Sequence, residues 1–222
     1  MKQVALEPVN DLHTRGRIYR HLSEALSCPE EEVVLSELIL NLQEDLNYLR
    51  PFLKGEEFCE ILSRFDSISD LTSLNVEYTR LFRGPVKALV YPYESMYVEG
   101  EVFGETTRDV VKKYADAGLE IAMGFKDLPD HIKAEMEFMY FLCDGEVRAL
   151  HGDGDAERSK LRGFQHDFFK KHLSRWAPQF CRSLGENTTE PYFKLIQCLM
   201  AAFMDSEKKY FDIVSSRLMQ VT

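Results

Sequence analysis

Val76 to Tyr97 reads VEYTRLFRGPVKALVYPYESMY, and its character changes half-way along. Val76, Leu81 and Phe82 share a helical face with Tyr78 beside them, and Gly84-Pro85 then stops the run. Glycine suits the left-handed turn after a helix, and proline cannot continue one. Beyond the break come Leu89, Val90, Tyr91, Tyr93 and Tyr97, with Pro92 removing a backbone donor and the acid Glu94 among them. Aromatic rings on a segment that is not regular helix make a wall able to receive a ligand, as well as one side of a core. The irregular segment is expected to run from about residue 83 to 105, with a short helix near Glu94 to Tyr97. It is long for a connection without structure of its own, and such connections inside compact domains tend to carry function.

Around this stretch the sequence has helical periodicity almost everywhere. Asn10 or Asp11 is positioned to cap a first helix bearing Leu12, Ile18, Tyr19, Leu22 and Leu26. Ser27-Cys28-Pro29-Glu30 has the form of a capping box before a second helix, whose stripe is Val33, Val34, Leu38, Leu42, Leu46 and Leu49. A third is expected around Phe58, Ile61, Leu62 and Phe65, and a fourth from a cap within Ser67 to Asp70 to Phe82. Thr106 or Thr107 then caps a helix that ends at Gly118. Leu128 to about Leu150 is the longest, with Pro129 in its first turn and His151-Gly152-Asp153-Gly154 ending it. Asp155 to Ser174 follows, then Trp176 and Pro178 in a short turn closing at Gly185. Thr189 to about Met219 reads as two helices or one bent one. No alternating strand pattern occurs outside Leu89 to Phe103. The expected fold is all-α, a single globular bundle of about nine to eleven helices forming one domain over 1–222. Residues 123–127 are the candidate hinge between its halves.

The 222 residues are 45% apolar and 29% charged, ordinary for a globular chain large enough to bury a sizeable core. A net charge of −10 argues against nucleic acid or anionic lipid as main partner and is compatible with a basic peptide. Five scattered cysteines without a CxxC argue against a zinc ribbon, a redox pair or a disulfide framework. With no signal-peptide pattern and no apolar run of about 18 residues, the expectation is a cytoplasmic protein without direct membrane insertion.

Enzyme chemistry finds little support. His131 and Glu135 lie four apart on one helix face beside Asp130, but a metal site needs further ligands that are not local. His166 and His172 are six apart and do not share a face. No GxSxG, P-loop or GxGxxG occurs. The reading is therefore not an enzyme, with no catalytic residue, no metal and no cofactor.

Three motifs taken in order carry a family resemblance. They are Glu77-Tyr78-Thr79-Arg80-Leu81-Phe82-Arg83-Gly84-Pro85, then Pro92-Tyr93-Glu94-Ser95-Met96-Tyr97, then Leu128-Pro129-Asp130-His131-Ile132 with Glu135, Glu137 and Phe138-Met139. Phe168-Phe169-Lys170-Lys171-His172-Leu173 with Trp176 adds to them. Over about residues 10 to 215 the chain resembles the TorD/DmsD-type redox-enzyme maturation chaperones. The resemblance implies an all-helical cytoplasmic chaperone. It would bind the twin-arginine leader, and sometimes the body, of a molybdenum-cofactor oxidoreductase, assisting cofactor insertion and delaying export. Some members carry Trp where Tyr93 follows Pro92 here. By position it implies that Leu81, Phe82, Pro92, Tyr93, Glu94, Asp130 and His131 line or support the leader site. The chemistry of a leader extends this set. Arginine forks pair with carboxylates, for which Glu94 and Asp130 are the candidates, and an apolar segment needs an aromatic groove. The expected peptide-binding residues are Tyr78, Leu81, Phe82, Tyr91, Pro92, Tyr93, Glu94, Tyr97, Asp130, His131 and Glu135. The expected partner is a molybdopterin oxidoreductase subunit with its leader, the chain being a monomer or a domain-swapped dimer. The competing readings are a helical adaptor without a redox client and a metal-dependent hydrolase built on Asp130, His131 and Glu135.

Overall fold

The computed structural model describes residues 9–28, 30–52, 60, 61, 63, 68, 70–84, 87–121, 127–152 and 154–218. Among them the chain is all-α, as its periodicity predicts. The helices are α1 Val9–Ala25, α2 Glu32–Leu49, α3 Leu71–Phe82, α4 Glu94–Val98, α5 Glu105–Asp116, α6 Ile132–Leu150, α7 Asp155–Phe168, α8 Ser174–Asn187 and α9 Pro191–Leu218. A π-helical turn, Phe169–Leu173, joins α7 to α8 without a break, so among the described residues the separate helical runs number eight, slightly fewer than the nine to eleven expected. Of the helix expected around Phe58 to Phe65, Ile61 is buried, while Phe58, Leu62 and Phe65 lie outside the described residues. So do residues 123–126 of the candidate hinge.

Two helix starts differ from expectation. α2 begins at Glu32 behind Glu31, whose side chain makes no cap bond. Ser27, the expected capping residue, donates its hydroxyl to Ser23 O inside the preceding turn instead. α5 begins at Glu105, ahead of either threonine. The Glu99 carboxylate reaches back to accept from Glu105 N at 3.0 Å and Thr106 N at 2.5 Å, satisfying the orphan amides a threonine would have served. Asp70 caps α3 as expected, accepting from Ser73 N at 3.1 Å. The stop after α3 rests on Gly84, which sits at φ +57, with its amide on Thr79 O at 2.7 Å. A Cβ there would stand 2.1 Å from Lys87 O, so only glycine fits this turn.

The C-terminal third also differs. Pro178 lies inside α8, where the sequence pattern predicts a turn. A proline interrupts only one ladder bond, and the apolar face of Trp176, Ala177, Phe180, Cys181 and Leu184 is fully buried, which holds the helix through it. Of the two alternatives expected after Thr189, the structure forms a single helix, α9, of 28 residues.

Most of these helices bury a face in one core. α1 packs along α6, α6 against α7, and α8 against α9. At its centre is a charge pair. Arg15 donates from Nε to Glu207 Oε1 at 2.6 Å and from Nη2 to Glu207 Oε2 at 2.7 Å, and Tyr19 OH donates to Oε2 at 2.8 Å. The guanidinium lies 3.8 Å from the Tyr210 ring centroid. This buried network ties α1 to α9 across most of the chain. Among the described residues no helix is long and apolar enough to cross a membrane.

Candidate peptide-binding site

Two segments separated in sequence meet in the fold. Tyr93 and His131 form an isolated antiparallel bridge, in which Glu94 N donates to Asp130 O at 2.9 Å and Ile132 N to Pro92 O at 2.8 Å. Pro92 has no amide to offer, but its carbonyl still completes the pair. The bridge sets two helix starts side by side. Each is then capped by a residue of the Asp130-His131 pair. Asp130 Oδ2 accepts from Ser95 N of α4 at 2.9 Å, and His131 Nδ1 accepts from Lys133 N of α6 at 3.0 Å.

The acids predicted to face an arginine lie beneath this surface. Glu94, Asp130 and Glu135 are all 0% exposed. Glu94 Oε2 meets His172 Nδ1 at 2.8 Å, and Glu135 Oε2 accepts from Trp176 Nε1 at 3.1 Å. Glu94 Oε1, Glu135 Oε1 and Asp130 Oδ1 are buried without a hydrogen-bond partner. Burial, with the neighbouring Glu94 charge second, pushes the Glu135 carboxyl well above its ordinary value, which favours its neutral form over a second charge beside Glu94. These three acids are thus placed to support the site from inside. None of them is free for an outside guanidinium. Among the described residues no group of three or more His, Cys, Asp or Glu side chains is placed to hold a metal ion.

The raised Glu135 value makes stability depend on pH. With its folded value raised above the ordinary 4.5, the contribution is full below pH 4.5 and is lost as pH rises through the folded value. Glu135→Gln keeps an acceptor for Trp176 without ionising. The variant should therefore lose less stability than the parent between about pH 5 and pH 8, as thermal melts across that range would record. Equal slopes would contradict a raised Glu135 value.

The outer surface is aromatic. Tyr93 is half-buried, crosses the His131 ring edge-on at 5.3 Å and donates its hydroxyl to Asp127 Oδ1 at 2.9 Å. Burial, the Asp127 hydrogen bond and the Asp127 charge all push the Tyr93 phenol up. His131 is pushed down by burial, which Asp127 partly opposes at 3.7 Å. Tyr78 feels both Tyr93 and Asp127, so it borders the same patch. Its ring rests on Phe82 at 5.0 Å, which in turn meets Phe193 at 6.1 Å. Tyr97, its phenol pushed up to about 12 by burial, packs on Trp176 at 5.5 Å. Tyr91 lies under the Lys87 ammonium at 5.9 Å. Leu81 is fully buried, and its carbonyl anchors Leu89 N and Val90 N.

Of the predicted residues, the structure therefore joins Pro92, Tyr93, Glu94, Asp130, His131 and Glu135 directly. Tyr78, Phe82 and Tyr97 stand around them, and Leu81 belongs to the core. Sequence reasoning missed Asp127, the exposed carboxylate at the patch, and the roles of His172 and Trp176 as partners of buried acids. Asp127 stood within the candidate hinge, and spacing carried no signal that His172 would reach Glu94, 78 residues away.

A family model described as nitrate reductase delta subunit matches residues 41–182, which include every motif above. The chain belongs to that family, the TorD type. This TorD-type chain is 31% identical over 121 residues to the selenate reductase assembly chaperone protein of Thauera selenatis, covering 54% of this chain and 61% of that one. It is 22% identical over 160 residues to the chaperone protein TorD of Vibrio parahaemolyticus, covering 70% and 72% of the two. It is 22% identical to the perchlorate reductase assembly chaperone protein of Dechloromonas aromatica, covering 96% and 97%. The match thus spans less than two thirds of the selenate reductase relative and nearly all of the perchlorate reductase one. A crystal structure from Archaeoglobus fulgidus named for redox enzyme maturation superposes with a TM-score of 0.50 at 21% identity, covering 94% of this TorD-type chain and 99% of that one. At that identity the likeness is one of fold.

Proposed function

We propose that this TorD-type protein is a cytoplasmic assembly chaperone for a molybdenum-cofactor oxidoreductase. It binds the client's twin-arginine leader, assists cofactor insertion and delays export. The observation that carries this reading is the Tyr93–His131 bridge, which fixes two irregular turns into one aromatic surface beside the exposed Asp127. Rigid aromatic groups offer large contact area at small entropic cost, suited to an apolar peptide segment. The polar groups of the patch serve its architecture: His131 Nδ1 is a cap, and Asp127 accepts the Tyr93 hydroxyl. The relatives' names, which speak of reductase assembly, support a reductase subunit as the partner.

The test is calorimetric titration with a leader peptide from a molybdoenzyme encoded beside this gene. Saturable binding is expected, and Tyr93→Ala should weaken it about tenfold, as loss of a central aromatic anchor does. Absence of saturable binding to either the leader or the apo-enzyme would overturn the reading.

A further inference from the structure

The loop between α4 and α5, Glu99-Gly100-Glu101-Val102-Phe103-Gly104, lies outside the three sequence motifs. Among the described residues Phe103 is the one non-glycine residue at positive φ, +71. A bulky side chain rarely adopts that conformation, because its Cβ crowds the backbone. The ring is not buried by it either: Phe103 is 64% exposed, and Val102 beside it is 39% exposed.

Neighbouring groups hold this strained residue in place. Gly100 turns the chain at φ +82. The Glu99 carboxylate, already bonded to Glu105 N and Thr106 N, lies against the Gly104 backbone, where a Cβ would stand 1.5 Å from Oε2. Phe103 N donates to Ser95 Oγ at 3.3 Å. A single exposed apolar residue needs no explanation. An exposed ring kept in an unfavourable backbone conformation by a tied loop does, and strain of this kind clusters at ligand clamps.

The bond to Ser95 also fixes where the ring stands. Ser95 is buried, and its amide donates to Asp130 Oδ2 at 2.9 Å, the contact that sets α4 against the Tyr93–His131 bridge. Chain geometry through Ser95 keeps the Tyr93 and Phe103 Cα atoms within roughly 15 Å, a span of about five extended residues. Both rings are therefore within reach of one short peptide segment. Glu101 and Glu105 flank the apolar pair, are exposed and have no ion-pair partner among the described residues. Such a rim favours an apolar segment that comes with basic residues over one that comes with acids.

We infer that Phe103, with Val102, anchors the apolar segment of the leader, which runs between Tyr93 and Phe103. The inference rests on the leader-binding reading above and adds a residue to that site. The occupant is an extended apolar stretch of about five residues joined to the leader's arginines. A ring already fixed before binding costs little entropy to engage, and that is what the strained loop contributes to affinity.

The test is titration of the same leader peptide, and of a copy with its apolar segment changed to serine, into the parent, Phe103→Gly, Phe103→Asn and Tyr93→Ala. Glycine and asparagine both suit the left-handed backbone, so the Phe103 variants should melt close to the parent. Both should bind the leader about fivefold to tenfold more weakly, and the serine copy should bind parent and Phe103 variants equally weakly. Parent-like affinity of both Phe103 variants for the leader would overturn the anchor. So would weakening by glycine alone, which would reflect a loosened loop and not a lost ring. Equal losses for both peptides, or a markedly lower melting temperature of both variants, would overturn it too. The ring would then be reading something other than the apolar segment, or be part of the core. Weakening by Tyr93→Ala in the same series would leave the leader reading standing without the anchor. Absence of saturable binding of the leader to the parent would remove both.

Discussion

Glu207→Ala should cost about 3–5 kcal/mol of folding stability, the typical loss when one partner of a buried ion pair is removed. Arg15 is fully buried, and Glu207 takes two of its donors and the Tyr19 hydroxyl. Without Glu207 the cation keeps Gln165, at 3.2 Å, and the Tyr210 and Phe211 rings. These stabilise a charge far less than a carboxylate does. Replacing both partners, as Arg15→Met/Glu207→Leu, should recover most of the loss, since apolar groups of similar volume leave nothing unpaired. Urea denaturation of the three variants measures this. A loss below about 1 kcal/mol for Glu207→Ala would mean that the pair contributes no more than a surface contact.

Asp130→Ala is expected to cost about 2–3 kcal/mol and to reduce leader affinity more than tenfold. The first figure is the range for removing a buried hydrogen bond to a charged group at a helix start. The second follows from geometry. Asp130 Oδ2 holds Ser95 N at the first turn of α4, directly after Tyr93. Without that cap the turn carrying Tyr93 loses its fixed place relative to His131, and a preorganised surface becomes one that must be ordered on binding. Asp130→Asn keeps an acceptor oxygen and should retain most of both properties. Melting temperature and leader titration of the two variants separate the roles. Full affinity in a folded Asp130→Ala protein would show that the bridge does not organise the receptor.

Much of the fold was legible because apolar spacing is a local property. The stripe Leu38, Leu42, Leu46 and Leu49 places α2, and Gly84 marks the end of α3 through its left-handed turn. The short helix at Glu94 was also legible, since prolines and tyrosines left little else for that loop to form. The joined run from Asp155 to Asn187 was not. Pro178 reads as a stop, and only burial of the whole Trp176, Ala177, Phe180 face overrides it. The site was legible as a set of positions but not as a set of roles. Carboxylates are normally solvated, so Glu94, Asp130 and Glu135 read as surface partners for arginine. Their burial depends on His172, Trp176 and the Ser95 amide, which only the fold brings near.

The central claim is that two segments joined by one bridge act as a single receptor for a peptide. Hydrogen–deuterium exchange of the full chain, with and without saturating leader peptide, tests it most directly. Peptides covering Tyr91 to Val98 and Asp127 to Lys133 should slow together, by similar factors and at the same leader concentration. Slowing confined to other segments while the leader is bound would contradict the account.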